Sequence, residues 1–218
     1  KLEALNLIMQ KALFITGTDT DVGKTHVACQ IIQQYVAQGL KVVGMKPVAA
    51  GCELVDGAWL NEDVQKLTAA SNVDAPAELV NSYCFKEYIA PHLAAEKAGV
   101  VIELGTILAA YQQLTTMADV VVVEGAGGFL VPLNNRVGLA DLAQALAIPL
   151  VLVVGMRLGC ISHSLLTVES IKARGLALHG WVANHVDPEM DLRAENVRTI
   201  TEQLDLAPLF ESKWLGSI

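Results

Sequence analysis

The chain has 218 residues, with 15 Lys and Arg against 23 Asp and Glu, which gives a formal net charge of −8 at pH 7. An acidic chain presents no broad basic surface to a polyanion, so this balance argues against a nucleic acid partner. Hydrophobic residues make up 53% of the sequence and charged residues 17%, which excludes disorder and favours a core whose strands are covered on both faces. No apolar run approaches the roughly 20 residues that a membrane-spanning helix needs, so no membrane partner is expected.

The cysteines and the first residues bear on the cellular location. Four cysteines are scattered along the chain without a CxxC pair: Cys29, Cys52, Cys84 and Cys160. We expect them to be buried or idle thiols in a reducing compartment. Residues 1–8 precede Met9 and lack the basic region and cleavage site of a signal peptide, so we interpret them as a leader or an expression remnant. Residues 9–218 then form one domain, and the expected location is cytoplasmic.

Short apolar runs alternate with longer helical patterns. Five runs are almost continuously apolar, as parallel strands buried on both faces require: Ala12–Thr16, Val42–Lys46, Val120–Glu124, Leu150–Val154 and Gly180–Asn184. Six segments show helical patterns: Lys24–Gln38, Asn61–Ala70, Glu103–Met117, Leu139–Ala147, Ser162–Arg174 and Asp191–Leu204. Gly39 and Gly175 follow two of them, where a left-handed residue ends a helix. This alternation predicts an α/β fold, a doubly wound and mainly parallel sheet flanked by helices, with Asn72–Pro91 as an irregular surface excursion.

The most informative motif is GTDTDVGKT at residues 17–25, between a predicted strand and a predicted helix. A phosphate-binding loop needs accessible backbone N–H groups, a helix N-terminus facing the anion, a lysine for the outer phosphates and a hydroxyl for Mg²⁺. Gly23, Lys24 and Thr25 supply the last three. The strict GxxxxGK[ST] pattern is not met, because its first glycine would fall on Thr18 and Gly17 lies one position earlier. The alternative is a glycine-containing turn with a chance Lys-Thr pair, but the flanking elements favour a P-loop.

A second motif, VVVVEGAGG, places Glu124 at the end of a buried strand and glycines directly after it. A carboxylate in this position suits Mg²⁺ ligation, and the glycines let the backbone approach a polyphosphate. A strand-ending Glu before a glycine-rich turn can also be purely structural. Together with the P-loop motif, it is interpreted as the equivalent of a Walker-B acid.

Three further residues have two interpretations each. Lys46, at the end of the second strand, is either a fixed cation for an anionic group or a surface lysine. Asp63, at a predicted helix start, is either a metal ligand or an acid that stabilises the helix N-terminus. Asn184 follows the last of the five strands in an NHVD sequence similar to the NKxD guanine reader of GTP switches, with His replacing Lys. It either contacts a purine edge or supports the turn.

Taken in this order, the motifs resemble the dethiobiotin synthetase family. The matching segments are residues 17–25 (GTDTDVGKT), Lys46–Val48 with Gly51, Asp63, residues 124–128 (EGAGG), residues 154–163 (VGMRLGCISH) and residues 180–184 (GWVAN). The likeness runs from about Lys11 to Val186, which is most of the chain. It implies a P-loop NTPase-like fold and a homodimer that closes the ureido ring of dethiobiotin from 7,8-diaminopelargonic acid, CO₂ and MgATP in biotin biosynthesis.

The resemblance also implies roles for the residues that match the family's motifs. The ATP-binding set would be Asp21, Val22, Gly23, Lys24, Thr25, Glu124, Gly127 and Asn184, the last facing the adenine. Thr25, Asp63 and Glu124 would hold Mg²⁺, the expected cofactor. Lys24, Lys46 and Thr20 would be catalytic. The diamine would contact Thr20, Lys46, Ala50, Gly127, Gly159, Cys160 and Ser162, the last three through helix N-terminal amides across the dimer interface.

The chain departs from the family at three places. Ala50 stands where some relatives place a serine near the substrate, and Asn196 where some place a tyrosine that reaches the partner's substrate. The tail, Ala207–Leu215, lacks the glycine and later proline that relatives often have beside the adenine.

Two rival functions belong to other classes. One is a partitioning-type ATPase switch, which would need no small-molecule pocket and would make Lys46 incidental. The other is an amidoligase of related fold that activates a carboxylate.

Overall fold

A computed structural model describes residues 10–212, so the leader predicted at residues 1–8 and the end of the tail lie outside the described range. In chain order the elements are β1 (Ala12–Gly17), α1 (Lys24–Ala37), β2 (Val42–Met45), β3 (Val48–Ala50), β4 (Glu53–Val55), β5 (Ala58–Leu60), α2 (Glu62–Ala70), α3 (Ala77–Val80), β6 (Tyr83–Phe85), α4 (Pro91–Lys97), α5 (Leu104–Met117), β7 (Val120–Gly128), α6 (Leu139–Leu146), β8 (Leu150–Gly155), α7 (Cys160–Ala173), β9 (Leu178–Asn184), α8 (Arg193–Leu204) and β10 (Phe210–Ser212).

The main sheet has six parallel strands in the order β10-β9-β8-β1-β7-β2. The chain builds one half of the sheet around β1, β7 and β2 and the other half around β8, β9 and β10, so the predicted doubly wound topology is confirmed. Because all six strands are parallel, their carboxyl ends meet at one edge, where ligands bind in such folds. None of the helices between residues 10 and 212 is long and apolar enough to cross a membrane.

Alternate residues of the strands pack on opposite faces of the sheet. Leu13 and Ile15 of β1 contact a cluster that includes Ile31 of α1, whereas Phe14 joins a cluster on the other face with Ile107 of α5. All three β1 side chains have 0% exposure. The nearly continuous apolar runs of the sequence therefore reflect a sheet covered by helices on both faces.

The predicted strands and helices are present, with end points shifted by a few residues. Strand β7 runs on to Gly128 rather than ending at Glu124, and helix α7 begins at Cys160 rather than Ser162. Gly39 and Gly175, with φ of 84° and 70°, follow α1 and α7 as predicted.

The prediction that Asn72–Pro91 is irregular holds for most of its residues but missed two short elements. This segment contains α3, β6 and the first residue of α4, and β6 forms a small parallel sheet with β3. These elements are short, at four residues for α3 and three for β6, and β6 is not a strand of the main sheet. The hairpin β4–β5 was also missed, although Asp56-Gly57, with φ of 50° and 83°, is a strong hairpin signal.

The expectation of four unpaired thiols was wrong for two of them. Cys52 and Cys84 form a disulfide with their Cα atoms 6.1 Å apart, while Cys29 and Cys160 are free. The bond joins the residue that follows Gly51 to the middle of β6. A pairing between residues 32 positions apart depends on the β3–β6 contact, which no CxxC spacing could reveal.

Candidate active site

The phosphate-binding loop connects β1 to α1. Gly23 precedes α1 with a φ of 82°, and Asp21 has a positive φ of 55°, so the backbone curls just before the helix begins. A Cβ atom on Gly17 would lie 2.7 Å from Cγ2 of Val22, which leaves no room for a side chain there. The N-terminal amides of a 14-residue helix therefore face the loop, as in anion-binding sites.

Asn184, at the end of β9, supports this loop through a side-chain hydrogen bond to its backbone. Its Nδ2 donates a hydrogen bond of 2.8 Å to the carbonyl oxygen of Val22, and the two side chains are buried. Any Cβ on Gly23 would overlap that Nδ2 atom. The structure thus shows the turn-supporting contact of Asn184. This contact uses the carbonyl oxygen of Val22, so the N–H of Val22 is the group that could bind a phosphate.

Lys24 folds back over the loop. Its Nζ donates a hydrogen bond of 2.8 Å to the carbonyl oxygen of Asp19, and the residue is 6% exposed. Burial, together with the nearby ammonium of Lys46, lowers the pKa of Lys24 to about 8. A desolvated ammonium in this position favours an anionic ligand.

Lys46 lies between two carboxylates at the edge of the sheet where the parallel strands end. Its Nζ is 2.5 Å from Oε1 of Glu124 and 3.0 Å from Oδ2 of Asp63. The hydroxyl of Thr25 donates to the same Oε1 atom at 2.9 Å. Strands β2 and β7 and helices α1 and α2 thus bring four of the predicted residues into one cluster.

Each acidic member of this cluster is held by its local structure. Asp63 lies in the first turn of α2, where Oδ1 of Asn61 accepts hydrogen bonds from the backbone N–H groups of Asp63 and Val64. Glu124 is 1% exposed at its position in β7, and its Oε2 atom has no hydrogen-bond partner among the described residues. A buried carboxylate oxygen left unpaired is costly, and a bound cation would satisfy it.

The charges of the cluster are fixed by mutual interaction. Burial by itself would lower the pKa of Lys46, but the carboxylates of Glu124 and Asp63 raise it above its ordinary value. Burial by itself would raise the pKa of Asp63, but the ammonium of Lys46 lowers it below its usual range. At neutral pH, Lys46 is therefore a cation and Asp63 an anion.

These groups line one cleft of about 1110 Å³. The predicted residues on its walls are Thr20, Asp21, Gly23, Lys24, Thr25, Lys46, Ala50, Asp63, Glu124, Gly127 and Asn184. The volume is slightly larger than the roughly 300–1,000 Å³ typical of sites for one small molecule. The cleft therefore has room for a nucleotide and a second small ligand.

Small residues line part of the cleft near Thr20 and Lys46. Gly127 has a φ of 68°, and a Cβ atom there would lie 2.9 Å from Cγ2 of Val131 and 3.4 Å from Oγ1 of Thr20. Ala50 lines the cleft, and its carbonyl oxygen accepts a hydrogen bond of 3.1 Å from Nδ2 of Asn61. Glycine at position 127 thus keeps space open beside the hydroxyl of Thr20.

Three predicted substrate residues do not line this cleft. Gly159 precedes α7 with a φ of 96°, and Ser162 is exposed in its first turn. The side chain of Cys160 is 2% exposed and packs in the core with Trp181. The N-terminus of α7 therefore contributes nothing to the cleft of its own chain.

Two polar contacts of the phosphate loop were not predicted. The hydroxyl of Tyr88 donates a hydrogen bond of 3.2 Å to Oδ1 of Asp21, and the guanidinium of Arg157 forms an ion pair of 2.5 Å with Oδ2 of Asp19. The partners are 67 and 138 residues apart in sequence, so no local spacing could have indicated them.

The fold and site define a nucleotide-binding protein of the P-loop NTPase class. A ParA family ATPase from Chlorobium tepidum has a TM-score of 0.58 at 11% identity, covering 94% of this chain and 84% of that chain. The septum site-determining protein MinD from Pyrococcus horikoshii has a TM-score of 0.57 at 15% identity, covering 93% and 81%. At these identities the likeness establishes the fold alone.

Sequence relatives establish the family. A family model described as an AAA domain matches residues 11–216. The ATP-dependent dethiobiotin synthetase BioD of Aromatoleum aromaticum is 53% identical over 199 residues, which cover 91% of this chain and 88% of that protein. The chain belongs to the ATP-dependent dethiobiotin synthetase family, and it is accordingly an ATP-dependent ligase of biotin biosynthesis.

Proposed function

We propose that this chain converts 7,8-diaminopelargonic acid, CO₂ and ATP to dethiobiotin, ADP and phosphate, with Lys24 and Lys46 as the central catalytic cations. The observation that carries the proposal is that these two buried lysines face one cleft, close enough for the charge of Lys46 to lower the pKa of Lys24. Two desolvated cations suit a reaction in which a carbamate oxygen and a phosphoryl group, both anionic, must be brought together.

The reaction divides into three steps. One amine of the substrate takes up CO₂ and releases a proton, which forms a carbamate. A carbamate oxygen then attacks the γ-phosphorus of ATP, and ADP leaves. The second amine attacks the carbonyl carbon of the resulting carbamic-phosphoric anhydride, phosphate leaves, and the ureido ring closes. None of these steps needs a side-chain nucleophile, so positioning and charge stabilisation supply the catalysis.

The residues of the phosphate loop hold the ATP phosphates. The backbone N–H groups of Asp21, Val22 and Gly23 face the anion at the start of α1, and the ammonium of Lys24 neutralises charge on the transferring phosphoryl group. Lys46 and Thr20 approach the carbamate from the other side, where Gly127 and Ala50 leave space for the diamine.

The oxygen atoms beside the loop fit Mg²⁺. This ion prefers oxygen ligands and uses only one or two protein carboxylates together with phosphate and water. The hydroxyl of Thr25 and the carboxylates of Asp63 and Glu124 provide such a set, and the unpartnered Oε2 of Glu124 supports it. When bound, the ion would neutralise charge on the ATP phosphates.

A homodimer would complete the substrate site. The backbone amides at Gly159, Cys160 and Ser162 lie outside the cleft of their own chain, so they could contact a substrate carboxylate only in a second copy. The N–H of Cys160 already donates to the carbonyl oxygen of Arg157 at 3.0 Å, so the amides of Gly159 and Ser162 are the better candidates. Leu158, directly before them, is 96% exposed, so it is accessible to a second copy.

We also infer a cytoplasmic location, where ATP and bicarbonate are available to a biosynthetic enzyme. The disulfide between Cys52 and Cys84 is unusual for that compartment, in which such bonds are mostly transient or redox-sensing.

The proposed function is tested with ¹⁴C-bicarbonate. The purified chain, the diamine, MgATP and labelled bicarbonate should give acid-stable radioactivity, because the label is locked into the ureido ring, whereas carbamate and bicarbonate lose it as CO₂ on acidification. Reactions without ATP and with the Lys24→Ala variant are the controls. The absence of acid-stable label in the complete reaction would contradict the proposal.

A further inference from the structure

We propose that Tyr88 is a positioning residue that spans the mouth of the cleft and holds the diamine against the phosphate loop. The inference rests on the proposed function, because it places the diamine beneath Tyr88. The structure links the two walls of the cleft there: the hydroxyl of Tyr88 donates a hydrogen bond of 3.2 Å to Oδ1 of Asp21, which lies within the loop.

The backbone that carries Tyr88 is firmly attached to the wall of the cleft. The N–H of Gly51 donates to the carbonyl oxygen of Glu87 at 3.1 Å, and the N–H of Cys52 donates to that of Phe85 at 2.8 Å. The disulfide between Cys52 and Cys84 joins the same two segments. Glu87, directly before Tyr88, is therefore hydrogen-bonded to Gly51, which directly follows Ala50 at the end of β3.

The ring of Tyr88 lies against Gly51. A Cβ atom on this glycine would be 2.8 Å from the ring atom Cδ2 of Tyr88 and 3.4 Å from the Cβ of Tyr88. Gly51 has a φ of 76°, a conformation that also favours glycine. The ring is thus supported on one side by bare backbone, while its hydroxyl reaches across to the loop.

Tyr88 is nevertheless 72% exposed, so the bridge it makes covers the cleft from outside and does not form part of the core. Both ends of the bridge line the cleft, together with Ala50 and Lys46. Burial and the carboxylate of Asp21 raise the pKa of Tyr88, so its hydroxyl keeps its proton at neutral pH. A small ligand bound between Ala50 and the phosphate loop would lie beneath this bridge.

The bridge has two expected consequences. It should restrict escape of the diamine, which lowers the KM for that substrate. It should also restrict the approach of water to the γ-phosphate, which suppresses ATP hydrolysis in the absence of an acceptor. Tyr88 contacts the carboxylate of Asp21, whereas the proposed phosphate contacts are the backbone N–H groups of the loop and the ammonium of Lys24, so the KM for ATP should not depend on the bridge.

Three variants test this inference. Tyr88→Phe removes only the hydroxyl, and a single hydrogen bond corresponds to an increase of about three- to tenfold in the KM for the diamine. Tyr88→Ala removes the ring as well and should raise that KM further, with faster ADP release in the absence of diamine. Tyr83→Phe is the matched control, because Tyr83 lies on β6, its hydroxyl accepts from the N–H of Glu103, and it does not line the cleft.

We expect the KM for ATP and the kcat to stay within about twofold of wild type in Tyr88→Phe. A double-mutant cycle with Asp21→Ala should show that the two changes are not additive in the KM for the diamine. Wild-type values for the diamine KM in both Tyr88 variants, or a parallel rise in the KM for ATP, would overturn the inference. Failure of the proposed function is recognised separately, because the wild-type chain would then form no dethiobiotin.

Discussion

The Nζ atom of Lys46 lies 2.5 Å from Oε1 of Glu124, and both residues are buried. The same ammonium lies 3.0 Å from Oδ2 of Asp63, so one cation pairs with both of the carboxylates that we propose as Mg²⁺ ligands. Lys46 and the metal ion thus share their partners, and the charge state of the cluster depends on both.

This sharing predicts the behaviour of Lys46→Met. Removing one partner of a buried ion pair destabilises a protein by about 3–5 kcal/mol, because the remaining charge is left uncompensated. Mg²⁺ should restore part of that loss, so Mg²⁺ should raise the melting temperature of Lys46→Met more than that of wild type. Lys46→Arg keeps the positive charge and is the control. Equal Mg²⁺-induced shifts in Lys46→Met and wild type would show that the carboxylates do not hold the ion.

Lys24→Ala tests the phosphate loop. A charge-assisted contact contributes about 1.5–3 kcal/mol, so the variant should bind ATP at least about tenfold more weakly, as measured by calorimetry. Lys172→Ala removes an exposed lysine on α7 and should bind ATP as wild type does. Normal ATP affinity in a folded Lys24→Ala variant would exclude Lys24 from the phosphate site.

Asn184→Ala separates the two roles of this side chain. The hydrogen bond from Nδ2 to the carbonyl oxygen of Val22 predicts a loss of loop support, so affinity for ATP, GTP and tripolyphosphate should fall by similar factors. A base-reading side chain predicts instead a selective loss for ATP, with tripolyphosphate unaffected. Competition binding with the three ligands distinguishes these outcomes, and we expect the uniform loss.

The disulfide predicts both a thiol count and a change in stability. Titration of the unreduced, denatured chain should find two free thiols, Cys29 and Cys160, whereas four would exclude the bond. For a sequence separation of 32, loop entropy predicts that reduction lowers the free energy of unfolding by about 3–4 kcal/mol. Urea unfolding with and without dithiothreitol measures this change. The Cys52→Ser, Cys84→Ser double variant should not respond to the reductant.

The sequence predicted the features that local chemistry determines. The runs VVVV before Glu124 and LVLVV at 150–154 are apolar on every residue, so they had to be strands covered on both faces. Because parallel strands end at one edge of a sheet, the side chains that follow them, such as Lys46, could be expected to meet. The phosphate loop was evident from its glycines, lysine and threonine.

Features that depend on distant contacts could not be predicted in this way. Strand β6 is three residues long and pairs with the equally short β3, so its pattern carries little signal. The partners of Tyr88 and Cys52 lie 67 and 32 residues away, and only the folded chain brings them together. The position of α7 relative to the cleft follows from strand order, which periodicity does not encode.

The dependence of ATP turnover on the diamine tests the central claim most directly. A ring-closing ligase should protect the γ-phosphate until the carbamate is in place. ADP release should therefore need the diamine and bicarbonate together, and omission of either should reduce the rate at least about tenfold, the factor that 1.4 kcal/mol of barrier represents. ADP release at the full rate without the diamine, or stimulation by a carboxylic acid with ammonia in its place, would contradict the assignment.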